Sequence, residues 1–195
     1  SLQITLIYAL TEWNIDFMIP FLEFFKNYNI SKVGFMHTQF TENHIAEGHN
    51  SKYGGLYPAT ISNIQELDFS KMDLKKLLRT IQTIKKQDYP FKVFFSPEIT
   101  TAEGLDTYYF HSEKILGQHC HDVFSNMMIK SDGSVIPSHG RCYNLTVGNI
   151  YEDSLETIWN SATFNKFRTD IMKAGGYFEA CSRCCSGFNG YGEKK

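Results

Sequence analysis

Five cysteines carry the chemistry this sequence can do. Cys120, Cys142, Cys181, Cys184 and Cys185 all fall late in the chain, and none occurs in the first 119 residues. Cys181 and Cys184 stand in Cys-x-x-Cys spacing, which at a turn presents two sulfurs to one metal centre while further thiolates arrive from distant segments. Thiolates are soft ligands, suited to zinc and to iron–sulfur clusters. An odd count of five argues against a disulfide framework, as does the absence of a basic, hydrophobic export signal. The alternative of buried, unliganded cysteines packing as small hydrophobes does not account for the joint pattern. Cys185 is left as a spare thiol or a competitor of Cys184, because adjacent residues rarely both face one centre.

These thiols need elements to bring them together. Val123–Ile129 and Ser134–Ile136 flank Ser131-Asp132-Gly133, a turn signal that predicts a hairpin with Gly133 at positive φ. Cys120 precedes that hairpin and Cys142 follows it, so strand pairing carries both toward one end. Ser154 caps an expected helix with Leu155, Ile158, Trp159, Ala162, Phe167 and Ile171 at helical spacing, ended by Gly175-Gly176, and the chain then returns to Cys181. Residues 186–195 read as a flexible tail.

The first hundred residues alternate short apolar runs with amphipathic ones, the pattern of parallel strands joined by crossover helices. Strands are expected at Ile4–Leu10, Lys32–Met36 and Phe91–Phe95, and helices over Phe17–Tyr28 and from a Ser70 cap, with Asp73 in the first turn, through Leu74, Leu77, Leu78, Ile81 and Ile84. The Lys and Arg residues opposite that last stripe are its solvated face. From His37 to about Leu67 there is no clean period, and a loop is expected; residues 101–119 read as a linker into the cysteine module.

Cys120, Gly133 within SDGSVIP, then VGNI, SLETIWNS, FNKFR and CSRC resemble the auxiliary-cluster domain of radical S-adenosylmethionine enzymes, of the SPASM or twitch type. Residues 1–100 are similar to the later part of the partial barrel that precedes such a domain. The resemblance implies an α/β chain: later strands and helices of a partial (β/α) barrel over 1–100, a linker over 101–119, and a small α+β unit over 120–185 in which a hairpin and a helix hold a metal cluster. It implies one auxiliary [4Fe–4S] cluster on Cys120, Cys142, Cys181 and Cys184, and S-adenosylmethionine as cofactor of the full-length parent.

The sequence departs from the family pattern in two places. Where a cysteine commonly follows Pro, five positions after the turn glycine, this chain has Ser138; the ligand is then Cys142, with His139 as the substitute. Five thiols exclude the two-cluster form. The Cys-x3-Cys-x2-Cys that binds the S-adenosylmethionine-cleaving cluster is absent, so the chain is expected to be a C-terminal fragment, inactive alone, whose partners are the missing N-terminal half and a substrate, peptide or small molecule. The apolar opening at Ser1 agrees with a chain cut from something longer.

Asn14 after the first strand, and His37 and Gln39 after the second, are candidates for a cofactor or substrate wall, because ligand-facing loops of α/β folds gather at strand ends. Asn14 is equally a turn residue, and for His37, His44 and His49 the plain reading as solvated loop histidines is the favoured one. His119 and His121 flank Cys120 as neighbours of the cluster or as surface residues. Asp132 and Glu98 form no acid–base pair, and no catalytic residue is assigned. The alternative function is a structural zinc module on an α/β binding domain. The 195 residues carry a net charge of -2, with 42% hydrophobic and 21% charged content, and the pI is near 6.4. That balance favours neither nucleic acid nor an anionic membrane, and the chain is expected in the cytoplasm.

Overall fold

The computed structural model describes residues 3–62, 64, 67–117, 119–138, 142 and 144–188. In chain order the elements are β1 (Thr5–Leu10), α1 (Met18–Phe25), β2 (Lys32–His37), α2 (Asn43–Tyr53), α3 (Leu74–Lys85), β3 (Lys92–Ser96), α4 (Ala102–Phe110), β4 (Met127–Ile129), β5 (Ser134–Pro137), β6 (Gly148–Asn149), α5 (Leu155–Trp159) and α6 (Ala162–Lys173). Short 3-10 turns at Ile15–Phe17, Phe69–Lys71, Asp122–Phe124, Glu179–Cys181 and Cys185–Gly187 link them. No helix among the described residues is long and apolar enough to cross a membrane. The chain forms two compact units, one from Ser1–Phe40 and Ser62–Lys114, the other from Thr41–Ile61 and Ile115–Asn189.

In the first unit β1, β2 and β3 lie side by side in parallel, in sequence order. Parallel neighbours need crossovers, and the chain supplies helices between them, the winding of a (β/α) barrel segment. Gly34 of β2 faces Phe94 of β3; a Cβ there would fall 2.7 Å from Phe94 Cε2, so the absent side chain makes room for the ring. Phe35 and Phe95 stack with centroids 5.2 Å apart, and Tyr8 meets Phe21 of α1 at 4.9 Å. β1 is an edge, with Ile7 56% exposed.

The stripe Leu77, Ile81 and Ile84 of α3 is buried as its spacing requires. Its cap is Asp73, whose carboxylate accepts from Lys76 N at 2.9 Å. Ser70, expected to be the cap, lies instead in the preceding 3-10 turn, which Asp68 caps. The expected linker contains α4, capped by Thr101 and burying Leu105, Tyr108 and Tyr109.

His37, at the end of β2, is 1% exposed. Its Nδ1 lies 2.8 Å from the Tyr109 hydroxyl. Burial holds the Tyr109 phenol well above its ordinary range and lowers His37 to about 3. Both groups are therefore neutral at physiological pH, Tyr109 donates to Nδ1, and the remaining proton sits on Nε2, which has no partner among the described residues. The unfolded histidine takes up a proton below about 6.5 while the folded one does not, so stability is full above that pH and falls toward pH 3, with a limiting slope of about 1.4 kcal/mol per pH unit. In urea titrations at stepped pH, His37→Asn, which keeps an acceptor for Tyr109 but does not titrate, is expected to flatten that slope. An equally steep slope in the variant would assign the acid sensitivity elsewhere.

The second unit contains the expected hairpin in shortened form. β4 pairs antiparallel with β5, with Met127 opposite Pro137, and Gly133 has φ of 79°. Asp132 turns its carboxylate back to Ser134 N at 3.0 Å, which makes it a turn residue. Val123, expected in the first strand, is buried in the Asp122–Phe124 turn. A third strand, β6, adds to β5. The single expected helix is two: Ser154 caps α5 and Ser161, accepting from Phe164 N at 3.1 Å, caps α6.

Residues 43–53, expected to be loop, form α2 and belong to this unit. Tyr57 stacks on Phe178 at 5.2 Å and donates to Asp170 at 2.7 Å. His49, buried in α2, bonds through Nε2 to the Tyr57 carbonyl at 2.6 Å, and Lys52 pairs with Glu179. Cys120, Val123, Val135, Phe164, Phe167 and Tyr177 share one core with Tyr57 and Phe178.

Candidate functional site

Each cysteine is held by local backbone structure. Cys120 is buried, and its N–H donates to Gly176 O at 3.0 Å, which ties the start of the module to the turn after α6. Gly175 and Gly176 both have positive φ there, as the helix ending requires. Cys181 closes the Glu179–Cys181 turn with its N–H on Phe178 O at 2.9 Å, and Cys184 N donates to Cys181 O at 2.9 Å. This folds the Cys-x-x-Cys into consecutive tight turns. Cys142 is half-buried, and its carbonyl accepts from Leu145 N at 3.0 Å.

All five thiols are free of disulfides. A hydrogen bond with Cys185, burial, and then the charges of Cys181, Cys185 and Cys142 hold Cys184 well above the ordinary thiol range. Burial also raises Cys120. The charges of Asp122 and Cys185 add to that rise, and the backbone N–H groups of Val123 and Asp122 at its sulfur act against it. Cys184 therefore lies within electrostatic reach of Cys142, Cys181 and Cys185, and Cys120 within reach of Cys185. Among the described residues no three His, Cys, Asp or Glu side chains form a preformed site for a single metal ion.

This donor set fits an iron–sulfur cluster. Crowded, buried thiols resist ionisation because each thiolate would face desolvation and its neighbours' charge, and bound metal removes both costs. A cluster also gives each thiolate its own iron, so the sulfurs do not have to meet at one point. Arg183, fully buried between Cys181 and Cys184 in sequence, donates from Nη1 to Ser182 O at 2.9 Å. Ser186 Oγ donates to Asp122 at 2.6 Å, and Phe188 is buried. The first residues of the expected tail therefore pack here, because Asp122 and the core offer them partners.

Ser138 has φ of 79°, and its buried hydroxyl has no partner among the described residues. A non-glycine residue there is strained. His139 lies outside the described residues. His119 and His121 stand with ring centroids 6.4 Å apart, and a Cβ at Gly176 would fall 2.8 Å from His119 Cγ.

The other sequence candidates fall in other places. Asn14 is a turn residue: its Oδ1 accepts from Thr11 N at 2.9 Å and its Nδ2 donates to Ala9 O at 2.8 Å. His37 is in the first unit's core, Gln39 is half-buried beyond β2, and His44 is exposed. Glu98 pairs with Lys85. Sequence reasoning missed Tyr177 and Arg183, both buried beside the cysteines; an arginine inside Cys-x-x-Cys was the one signal available.

Residues 120–185 match the family model of the SPASM domain, an iron–sulfur cluster-binding domain. The structure of SuiB from Streptococcus suis is similar to this chain at 14% identity, with a TM-score of 0.47, over 93% of this chain. The chain spans 40% of the length of SuiB. Comparison with curated proteins found no match.

Proposed function

We propose that this chain holds one auxiliary [4Fe–4S] cluster through Cys120, Cys142, Cys181 and Cys184, and that it is the C-terminal part of a radical S-adenosylmethionine oxidoreductase. The grouping of Cys142, Cys181 and Cys185 around Cys184, with Cys120 in reach of Cys185, inside the segment that matches an iron–sulfur cluster-binding domain, carries this reading. With four thiolates the bound cluster supplies one-electron chemistry, relaying an electron to or from a substrate radical. The chain's own residues fix the thiols, exclude water from Cys120 and Cys184, and place the backbone N–H groups of Val123 and Asp122 at the Cys120 sulfur.

The parallel β1–β2–β3 sheet with its exposed β1 edge supports further barrel strands upstream, in the half that would bind S-adenosylmethionine. At its strand ends Asn14 and His37 make contacts of the fold. A cytoplasmic setting suits reduced thiols.

Anaerobic reconstitution with iron and sulfide tests the reading. The expected product is brown, with charge-transfer absorption and about four irons per chain, as the cluster formula requires. A colourless chain holding one tight zinc ion would establish the zinc module instead.

A further inference from the structure

Tyr177 lies beside three of the cysteines, Cys120, Cys181 and Cys184. It is 4% exposed, and its oxygen has no hydrogen-bond partner among the described residues. It follows Gly176, whose carbonyl accepts from Cys120 N, and it packs in the core that contains Cys120 and borders Cys181. Buried phenols nearly always find a partner, and leaving one without is costly.

The space around the ring is kept by glycines. A Cβ at Gly187 would lie 2.7 Å from the phenol Cζ and closer still to its oxygen, and one at Gly117 would lie 3.0 Å from that oxygen. Gly187 N donates to Cys184 O at 3.2 Å, so this cradle belongs to the turn that carries Cys184. Burial first, then the charges of Cys120, Cys184 and Cys181, push the phenol well above its ordinary range, so it remains a hydrogen-bond donor. The Asp122 carboxylate also raises it, but its Oδ2 already accepts from Ser186 Oγ at 2.6 Å, and the other charged groups acting on the phenol are the cysteine sulfurs.

We propose that Tyr177 donates its hydroxyl hydrogen bond to a sulfur of the bound cluster and so sets the cluster's reduction potential. The inference rests on the cluster reading above. A donor at sulfur stabilises the more negative, reduced cluster over the oxidised one and raises the potential. Tyr177 is thus a tuning residue and not a ligand.

The test is a redox titration of the anaerobically reconstituted full chain, followed by visible absorption and electron paramagnetic resonance. Tyr177→Phe is expected to bind wild-type amounts of iron and sulfide while its reduction equilibrium shifts about tenfold toward the oxidised form, a fall of about 59 mV for one electron. Site-specific 3-fluorotyrosine at position 177 keeps the ring and hydroxyl but donates more strongly, and it should raise the potential. Opposite shifts in the two proteins cannot come from packing alone. If Tyr177→Phe loses the cluster, the fluorotyrosine protein decides the matter. An unchanged midpoint in the fluorotyrosine protein overturns the proposal, whereas wild-type chain that takes up no iron and sulfide overturns the cluster reading beneath it.

Discussion

Cys184→Ser is expected to strip most of the iron from the reconstituted chain. Cys184 lies within reach of Cys142, Cys181 and Cys185, and it is 5% exposed. A serine oxygen is a harder, poorer donor for iron, and no water can reach the position to substitute for it. Iron per chain should fall several-fold, and the gain in thermal stability on reconstitution, which follows from binding to the folded state alone, should fall with it. Cys185→Ser is the control. Its thiol bonds to Cys184 but is not an assigned ligand, so iron should stay near the wild-type level. The reverse ranking, with Cys185 essential and Cys184 dispensable, would transfer the ligand role to the neighbour.

The elements that were legible in the sequence are those whose pattern is local. The stripe Leu77, Ile81 and Ile84 determines α3 without outside help, and Gly133 announces its turn because the backbone needs positive φ there. α2 was not legible: its buried face is Ile45, Ala46 and His49, and a histidine reads as polar until the Tyr57 carbonyl and the Phe178 ring are seen to satisfy it. The break between α5 and α6 was missed for a related reason. Ser161 looks like a tolerated interior residue, and only its bond to Phe164 N reveals a second cap. At the site, the cysteines' spacing predicts the grouping around Cys184, whereas Tyr177 and Ser138 owe their meaning to burial and strain, which no spacing encodes.

Arg168→Ala is expected to be the most destabilising change in the second unit outside the cysteines. The side chain is 9% exposed. Its Nε donates to Val123 O at 2.9 Å, and its Nη1 donates to Trp159 O at 2.7 Å and Asn165 Oδ1 at 2.9 Å. It therefore ties α6 to α5 and to the turn that follows Cys120. The guanidinium lies over the Trp159 and Phe164 rings, 4.1 and 3.8 Å from their centroids. Charge-assisted bonds contribute about 1.5–3 kcal/mol each and desolvated cation–π contacts about 2. These do not add, and burying the charge offsets part of them, so the expected cost is roughly 3–5 kcal/mol. Three substitutions separate the contributions in chemical denaturation. Alanine loses all of them and opens a cavity. Lysine keeps the charge without the fork, so it should cost nearly as much, because a buried ammonium meets fewer acceptors. Methionine fills the slot between the rings with no charge to desolvate, and should cost least. If lysine were tolerated better than methionine, the charge itself, rather than the planar fork and its packing, would be what holds the Cys120 turn to α6.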